Sequence, residues 1–218
     1  MYYLDLEDFY IVGSSPETLV KTENNKITIK PIAGTRLKKK YPNRELEKEL
    51  LSDPKERAEH LMLLDLGRND VGRVAKIGSI KVKNPFSIQE TSNLIHIVST
   101  VEGDLREDED QISSLSAGFP AGTVSGAPKI RAMEIIDELE KEKRGIYAGA
   151  VGYFSANGDM DTAIALRTAI IKDEMMYVQA GGGVVYDSNE EYEYNETVNK
   201  SQALFKAAKD AILNNLKE

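Results

Sequence analysis

Over residues 1–31 apolar and polar positions recur in short runs of strand character. These are Tyr2–Leu6, Phe9–Gly13, Thr18–Thr22 and Lys26–Lys30, separated by the turn residues Ser14-Ser15-Pro16 and Asn24-Asn25. Pro31-Ile32-Ala33-Gly34-Thr35 ends this run, and a basic polar loop follows over Leu37–Arg44. A short helix is expected at Asn43–Leu51. Asp53-Pro54 then supplies an N-cap and a proline at the first helical position, which predicts a longer helix to about Arg68. Strands follow at Ser79–Val82 and Leu94–Val101, and a helix runs from about Asp110 to Ala117. Gly118–Pro128 is a loop feeding a helix at Lys129–Lys143. Three strands, Ala148–Ser155, Thr162–Lys172 and Met175–Ala180, read as a meander joined by Asn157-Gly158 and Lys172-Asp173-Glu174. Gly181–Gly183 and Val184–Tyr186 lead into a closing helix from about Asn189 or Glu191 to Leu216. Strands and helices interleaved with hairpins favour α+β over a doubly wound parallel sheet. No repeat, low-complexity tract or linker interrupts the 218 residues, so a single domain over 1–218 is the expected division.

Composition narrows the chemistry. At 41% hydrophobic and 29% charged the chain is of ordinary globular type. Without cysteine there is no disulfide, thiolate zinc site or thiol nucleophile, and two histidines, His60 and His96, cannot make a His-rich metal cluster. A net charge of −8 argues against a nucleic-acid footprint. No apolar run approaches the roughly 20 residues that span a bilayer, and no basic region precedes the apolar residues near the N-terminus. A cytoplasmic protein without membrane or nucleic-acid partners is therefore expected. Its chemistry must come from carboxylates, hydroxyls or backbone, with or without a hard metal ion.

Two Glu-x-x-Glu pairs, Glu56/Glu59 and Glu193/Glu196, put two carboxylates on one side of a helix. A solvated acidic face is the common reason for such a pair. Here the walk from Glu56 continues through Glu59, Leu63 and Leu66, and that from Glu193 through Glu196, Lys200, Ala203 and Ala207. Inward acidic pairs call for a cation, and Mg²⁺ would suit oxygen ligands and hold an anionic substrate. In Thr162–Lys172, alternation puts Ala163, Ala165, Arg167 and Ala169 on one face, so Arg167 sits among alanines where it could hold a carboxylate bidentately, or else faces solvent. The Gly181–Gly183 backbone could cradle an anion, although a plain turn is the more common use of such a run. Gly118–Pro128 lacks the GxxxxGK[ST] pattern, so an ATP site is not expected. His96 lies in an apolar strand, where a histidine is more often packed than catalytic.

Taken in order, nine blocks resemble the C-terminal half of the chorismate-binding enzymes. They are GSSPE (Gly13–Glu17), PIAGTR (Pro31–Arg36), EHLMLLDLGRND (Glu59–Asp70), HIVS (His96–Ser99), FPAGTVSGAPK (Phe119–Lys129), RGIYAGAVGY (Arg144–Tyr153), DTAIALRT (Asp161–Thr168), QAGGGVVYDS (Gln179–Ser188) and ETVNK (Glu196–Lys200). Within the family the blocks are most similar to component I of the anthranilate synthases. The resemblance implies an α+β fold of antiparallel sheets flanked by helices, and a chain whose N-terminal half, which carries the feedback site in that branch, is absent.

It also implies roles. Glu59 and Glu196 would bind Mg²⁺, with Glu56 and Glu193 completing the acidic cluster. Tyr147 and Arg167 would hold the enolpyruvyl carboxylate of chorismate. The backbone of Gly181, Gly182 and Gly183, with Gly34, Thr35 and Thr123, would line the pocket. Lys200 would add charge near the ring carboxylate, and His96 would stand beside the departing hydroxyl. The implied reaction is addition of ammonia at C2 with loss of the C4 hydroxyl, then elimination of pyruvate to give anthranilate. Glu56 or Glu193 is the expected general acid, and a glutamine amidotransferase subunit (component II) the expected ammonia source. Ala33 bears on the branch: the para-aminobenzoate branch typically has a lysine there, whereas alanine leaves room for ammonia or water. Other chorismate-utilising branches, isochorismate or aminodeoxychorismate synthase, and a non-catalytic chorismate- or partner-binding chain are the alternatives.

Overall fold

The computed structural model describes residues 1–38, 44–91 and 94–215. Its strands are β1 (Tyr2–Asp5), β2 (Tyr10–Gly13), β3 (Thr18–Glu23), β4 (Lys26–Ile29), β5 (Ile32–Leu37), β6 (Lys81–Glu90), β7 (Leu94–Asp104), β8 (Ala150–Phe154), β9 (Met160–Ile164), β10 (Thr168–Lys172) and β11 (Met175–Val178). Its helices are α1 (Arg44–Ser52), α2 (Pro54–Gly72), α3 (Gln111–Gly118), α4 (Gly122–Ser125), α5 (Lys129–Leu139) and α6 (Glu190–Asn215). Most of the expected basic loop, the expected helix start at Asn43 and the expected helix end at Leu216 lie outside the described residues. The α+β class, with antiparallel sheets and helices, is the observed one.

The chain divides into two compact units, described separately. The first comprises Met1–Pro16, Lys141–Val151 and Ala163–Glu218; the second comprises Glu17–Glu140 and Gly152–Thr162.

In the first unit β1, β2, β10 and β11 form a four-stranded antiparallel sheet in that order. Gly13 pairs with Tyr2 on one side and Thr168 on the other. A methyl group there would lie 2.5 Å from the Tyr2 ring and 2.6 Å from Thr168 Oγ1, so only glycine fits. That absence of a side chain lets the Tyr2 hydroxyl reach Thr168 Oγ1 at 2.5 Å.

The second unit is organised on β7, an eleven-residue strand. One edge of β7 pairs with β6; its other edge takes β5 along its N-terminal half and β4 along its C-terminal half. The sheet continues through β3, β9 and β8. Asp53 caps α2 by accepting from the Lys55 and Glu56 amides, as its sequence signature requires. The helix then buries His60, Leu64, Gly67 and Val71. Gly67 has no side chain, and this brings the helix backbone close to Ile29, Pro31 and Val101. Beside it, Leu46, Leu50, Ile95 and Ile97 form a core cluster, each side chain contributing about 1.5–3 kcal/mol by its burial.

Several expectations are corrected. Pro31–Thr35 does not end the strands: Ile32–Leu37 is β5, with a register shift between Ala33 and Arg36. β6 is ten residues long rather than four, because it pairs along β7 despite Asn84 and Pro85; a second register shift absorbs these residues. α2 runs on to Gly72, a short helix α4 lies inside the Gly118–Pro128 loop, and α5 stops at Leu139. Thr162–Lys172 is not one strand: it breaks at Arg167, whose φ is 49°, and its two parts join different sheets. The three-strand meander and the alanine face around Arg167 fall with it, since Ala165 and Ala169 are buried. On α6 the sheltered ridge passes through Glu193, Glu196, Lys200, Leu204 and Ala208, whereas Ala203 and Ala207 are exposed.

Candidate active site

The second unit places six of the expected site residues. The β5 register shift leaves Gly34 and Thr35 as the irregular residues of that strand, with Gly34 at φ +69°, a conformation glycine adopts without strain. The bulge turns the Gly34 carbonyl toward His96 on β7, whose Nδ1 lies 3.0 Å from that oxygen and 3.3 Å from Thr35 Oγ1. A carbonyl only accepts, so His96 Nδ1 carries a proton and, in the neutral ring, Nε2 is left as an acceptor. The lone strand histidine is therefore neither packed away nor unoriented; it is half-exposed and held by its ring nitrogen.

Opposite the bulge is the first turn of α2. A methyl on Gly34 would lie 3.0 Å from Glu56 Oε2, so Glu56 stands directly over the glycine. Glu56 Oε1 accepts from Arg36 Nη1 at 2.8 Å, and the same guanidinium donates to Asp53 at 2.9 Å and Glu49 at 3.2 Å. The Glu56 hydrogen bond, the largest influence, and the Glu49 carboxylate raise the Arg36 pKa further above its already high value. The amide of Glu56 holds the Asp53 carboxyl below the usual carboxylate range, with the Lys55 amide and Arg36 adding to the effect. Glu59, one turn on, is half-buried, as are Leu63 and Leu66 beyond it, so the ridge expected from the sequence is present. Thr123, on α4, donates to Glu17 Oε2 at 3.1 Å.

The first unit places the other eight, and Lys200 is their centre. Its ammonium pairs with Glu196 Oε1 at 2.6 Å and donates to the Gly181 carbonyl at 3.2 Å, while its own carbonyl accepts from Arg167 Nη1 at 3.2 Å. A methyl on Gly181 would sit 2.9 Å from the Tyr147 hydroxyl, and one on Gly182 would sit 3.5 Å from Glu193 Oε2. Glu193 Oε1 accepts from Ser188 Oγ at 2.8 Å. Gly183 has open space where a side chain would go. Arg167, Tyr147, Gly181, Lys200 and Glu196 thus form one connected group, although no regular alternation produces it.

Among the described residues no three acidic or histidine side chains gather into a ready-made metal cluster. Glu59 and Glu196 each present hard carboxylate oxygens from a half-buried helix face. An ion of the Mg²⁺ type takes one or two protein carboxylates and keeps several waters, so the chemistry of each carboxylate taken singly suits it.

Sequence reasoning missed Arg36, Glu17 and Ser188. Arg36 adjoins a motif already noted, but its three carboxylate partners are separated from it by a helix and a capping turn. Glu17 sits within GSSPE and is brought to Thr123 only by tertiary packing.

Residues 1–206 match the family model described as chorismate binding enzyme, and the chain belongs to that family. It is 62% identical over 213 residues to anthranilate synthase component 1 of Cereibacter sphaeroides, an alignment covering 97% of this chain and 43% of the relative. Its fold superposes on the crystal structure of anthranilate synthase component I from Streptococcus pneumoniae with a TM-score of 0.88 at 50% identity, covering 94% of this chain and 45% of that one. The menaquinone-specific isochorismate synthase of Escherichia coli shares the fold at 24% identity and a TM-score of 0.82, over 91% of this chain and 46% of that one. The chain thus spans less than half the length of these relatives. No helix among the described residues is long and apolar enough to cross a membrane.

Proposed function

We propose that this chain carries the catalytic residues of an anthranilate synthase component 1, converting chorismate and ammonia to anthranilate, pyruvate and water. The observation that supports this most strongly is the 62% identity to such a component over 97% of the chain. Ala33 agrees with it. The residue sits in β5 opposite Ile97 and beside the Gly34 bulge, and a methyl side chain cannot itself attack the substrate but leaves room for a small nucleophile. We further assign a glutamine amidotransferase subunit as the ammonia source and the cytoplasm as the location.

In this reading Glu59 and Glu196 hold Mg²⁺, with Glu56 and Glu193 completing the acidic surroundings. When bound, the ion supplies positive charge that neutralises and orients a substrate carboxylate. The chain's own residues do the rest. Arg167, aimed by its bond to the Lys200 carbonyl, and the Tyr147 hydroxyl bind the enolpyruvyl carboxylate. Lys200 adds charge for the ring carboxylate, and the backbone of Gly181–Gly183 lines the pocket with Gly34, Thr35 and Thr123. His96, with Nδ1–H held by Gly34, offers Nε2 to the ring hydroxyl that leaves. A proton must reach that hydroxyl as the C4–O bond breaks and nitrogen bonds to C2; pyruvate then departs with the ring hydrogen that aromatisation releases. Glu56 is engaged by Arg36, a poor arrangement for a proton donor, so of the two expected acids Glu193 is the better candidate.

The test is a fluorescence assay of the full-length protein with chorismate, Mg²⁺ and ammonium salt. Anthranilate emission that depends on all three supports the reading. Chorismate binding without emission favours the non-catalytic alternative and overturns it.

A further inference from the structure

Lys129 is the first residue of α5 and follows the loop that carries Thr123, yet its ammonium does not point to solvent. The side chain is only 12% exposed; Nζ pairs with Asp70 Oδ2 on α2 at 2.9 Å and donates to the Gly118 carbonyl at 3.2 Å. Gly118 is the last residue of α3, so Lys129 joins the two ends of the intervening loop and ties both to α2. A second cation, from the residue that caps the end of α2, acts beside it: Arg73 Nη1 donates to the carbonyl of Ala117 at 3.2 Å. The two side chains satisfy carbonyls at the end of α3 that helical bonding leaves unpaired.

The loop is also packed to a tolerance that admits no side chain at two points. A methyl on Gly118 would lie 2.3 Å from Val20 Cγ2, and one on Gly122 would lie 2.3 Å from Leu66 Cδ2. The Thr123 hydroxyl adds a polar tie to Glu17. We propose that Lys129 is a positioning residue: its ammonium latches the Gly118–Pro128 loop to α2 and so sets where Thr123 and the adjoining backbone face the substrate. The functional half of this statement rests on the assignment of Thr123 to the chorismate pocket; the latch itself does not.

Lys129→Met alone would strand Asp70, a buried carboxylate, without its cation. The informative change is therefore Lys129→Met with Asp70→Leu, which removes both charges together and leaves neither unpaired. If the ion pair matters only for stability, this double variant restores what the single change loses. If the latch is real, the double variant folds but lacks the bond to the Gly118 carbonyl. Amide hydrogen exchange across residues 119–126 then rises about tenfold, the loss expected for one charged hydrogen bond, and the chorismate KM rises by a similar factor while kcat holds. Lys129→Arg, which keeps a charged donor, returns both quantities toward those of the parent. Exchange at the parent rate in the double variant overturns the latch, and so does a double variant that cannot fold. Raised exchange with an unchanged KM overturns the positioning role. A parent protein that makes no anthranilate refutes the proposed function instead, and the exchange measurement still decides the latch.

Discussion

His60 gives a prediction whose size can be worked out from the structure. The imidazole is fully buried in α2, with Nε2 2.7 Å from Ser99 Oγ and the edge of Phe86 against its ring. Nδ1 is buried without a hydrogen-bond partner. Burial lowers the pKa from 6.5 to about 4, so the folded protein holds this ring neutral. The unfolded chain takes up a proton near pH 6.5 and the folded one only near pH 4. Stability from this group is therefore complete above about pH 6.5, declines as pH falls, and stops declining below about pH 4. The displacement amounts to about 3 kcal/mol in all, of which about 2 kcal/mol is lost between pH 7 and pH 5. His60→Leu keeps the volume and removes the titration. Urea unfolding followed by circular dichroism at pH 7 and pH 5 should show the parent losing about 2 kcal/mol more than the variant over that interval. Asp70, whose carboxyl is pushed up by burial against the pull of Lys129, is common to both proteins and drops out of the difference. Equal losses in parent and variant would show that the His60 site is open to water or that its ring is already charged.

Other outcomes follow from the site. Glu59→Gln or Glu196→Gln should weaken Mg²⁺ binding at least tenfold by titration calorimetry with chorismate present and abolish turnover, with little change in melting temperature; unchanged affinity in both would show that these carboxylates are not the ligands. Gly118→Ala forces a methyl to within 2.3 Å of Val20 and should cost about 1–3 kcal/mol in a denaturant titration; a neutral substitution would contradict the close packing of the loop. Ala33→Lys should sharply reduce ammonia-dependent anthranilate formation and yield a covalent adduct with the chorismate-derived ring, read by intact-protein mass spectrometry. Parent activity without an adduct would show that Ala33 does not face the reacting carbon.

What the sequence revealed was largely local. The opening strands announce themselves by alternation and Asn24-Asn25, and Asp53-Pro54 marks the start of α2 because capping depends on neighbours in the chain. β5 and most of β6 were hidden because Gly34 and Pro85 signal turns, while their strand character comes from pairing with a distant β7. Arg167 was misplaced for a related reason: a left-handed arginine breaks an otherwise regular strand pattern, and nothing in the residue type announces it. The proposed site residues stand in motifs that the sequence shows, but the contacts among them were not legible. The Arg36 clamp on Glu56, the link from Thr123 to Glu17 and the bonds of Lys200 with Gly181 and Arg167 all join residues that periodicity does not relate.

In the proposed reaction a small nucleophile, ammonia, enters beside Ala33 and leaves its nitrogen in an aromatic product. Incubating the full-length protein with chorismate, Mg²⁺ and ¹⁵N-ammonium, and identifying every product by mass spectrometry, tests it most directly. Anthranilate carrying one ¹⁵N, with pyruvate in equal amount, is the expected result. Unlabelled isochorismate, or an amino product that retains the enolpyruvyl group, would contradict it.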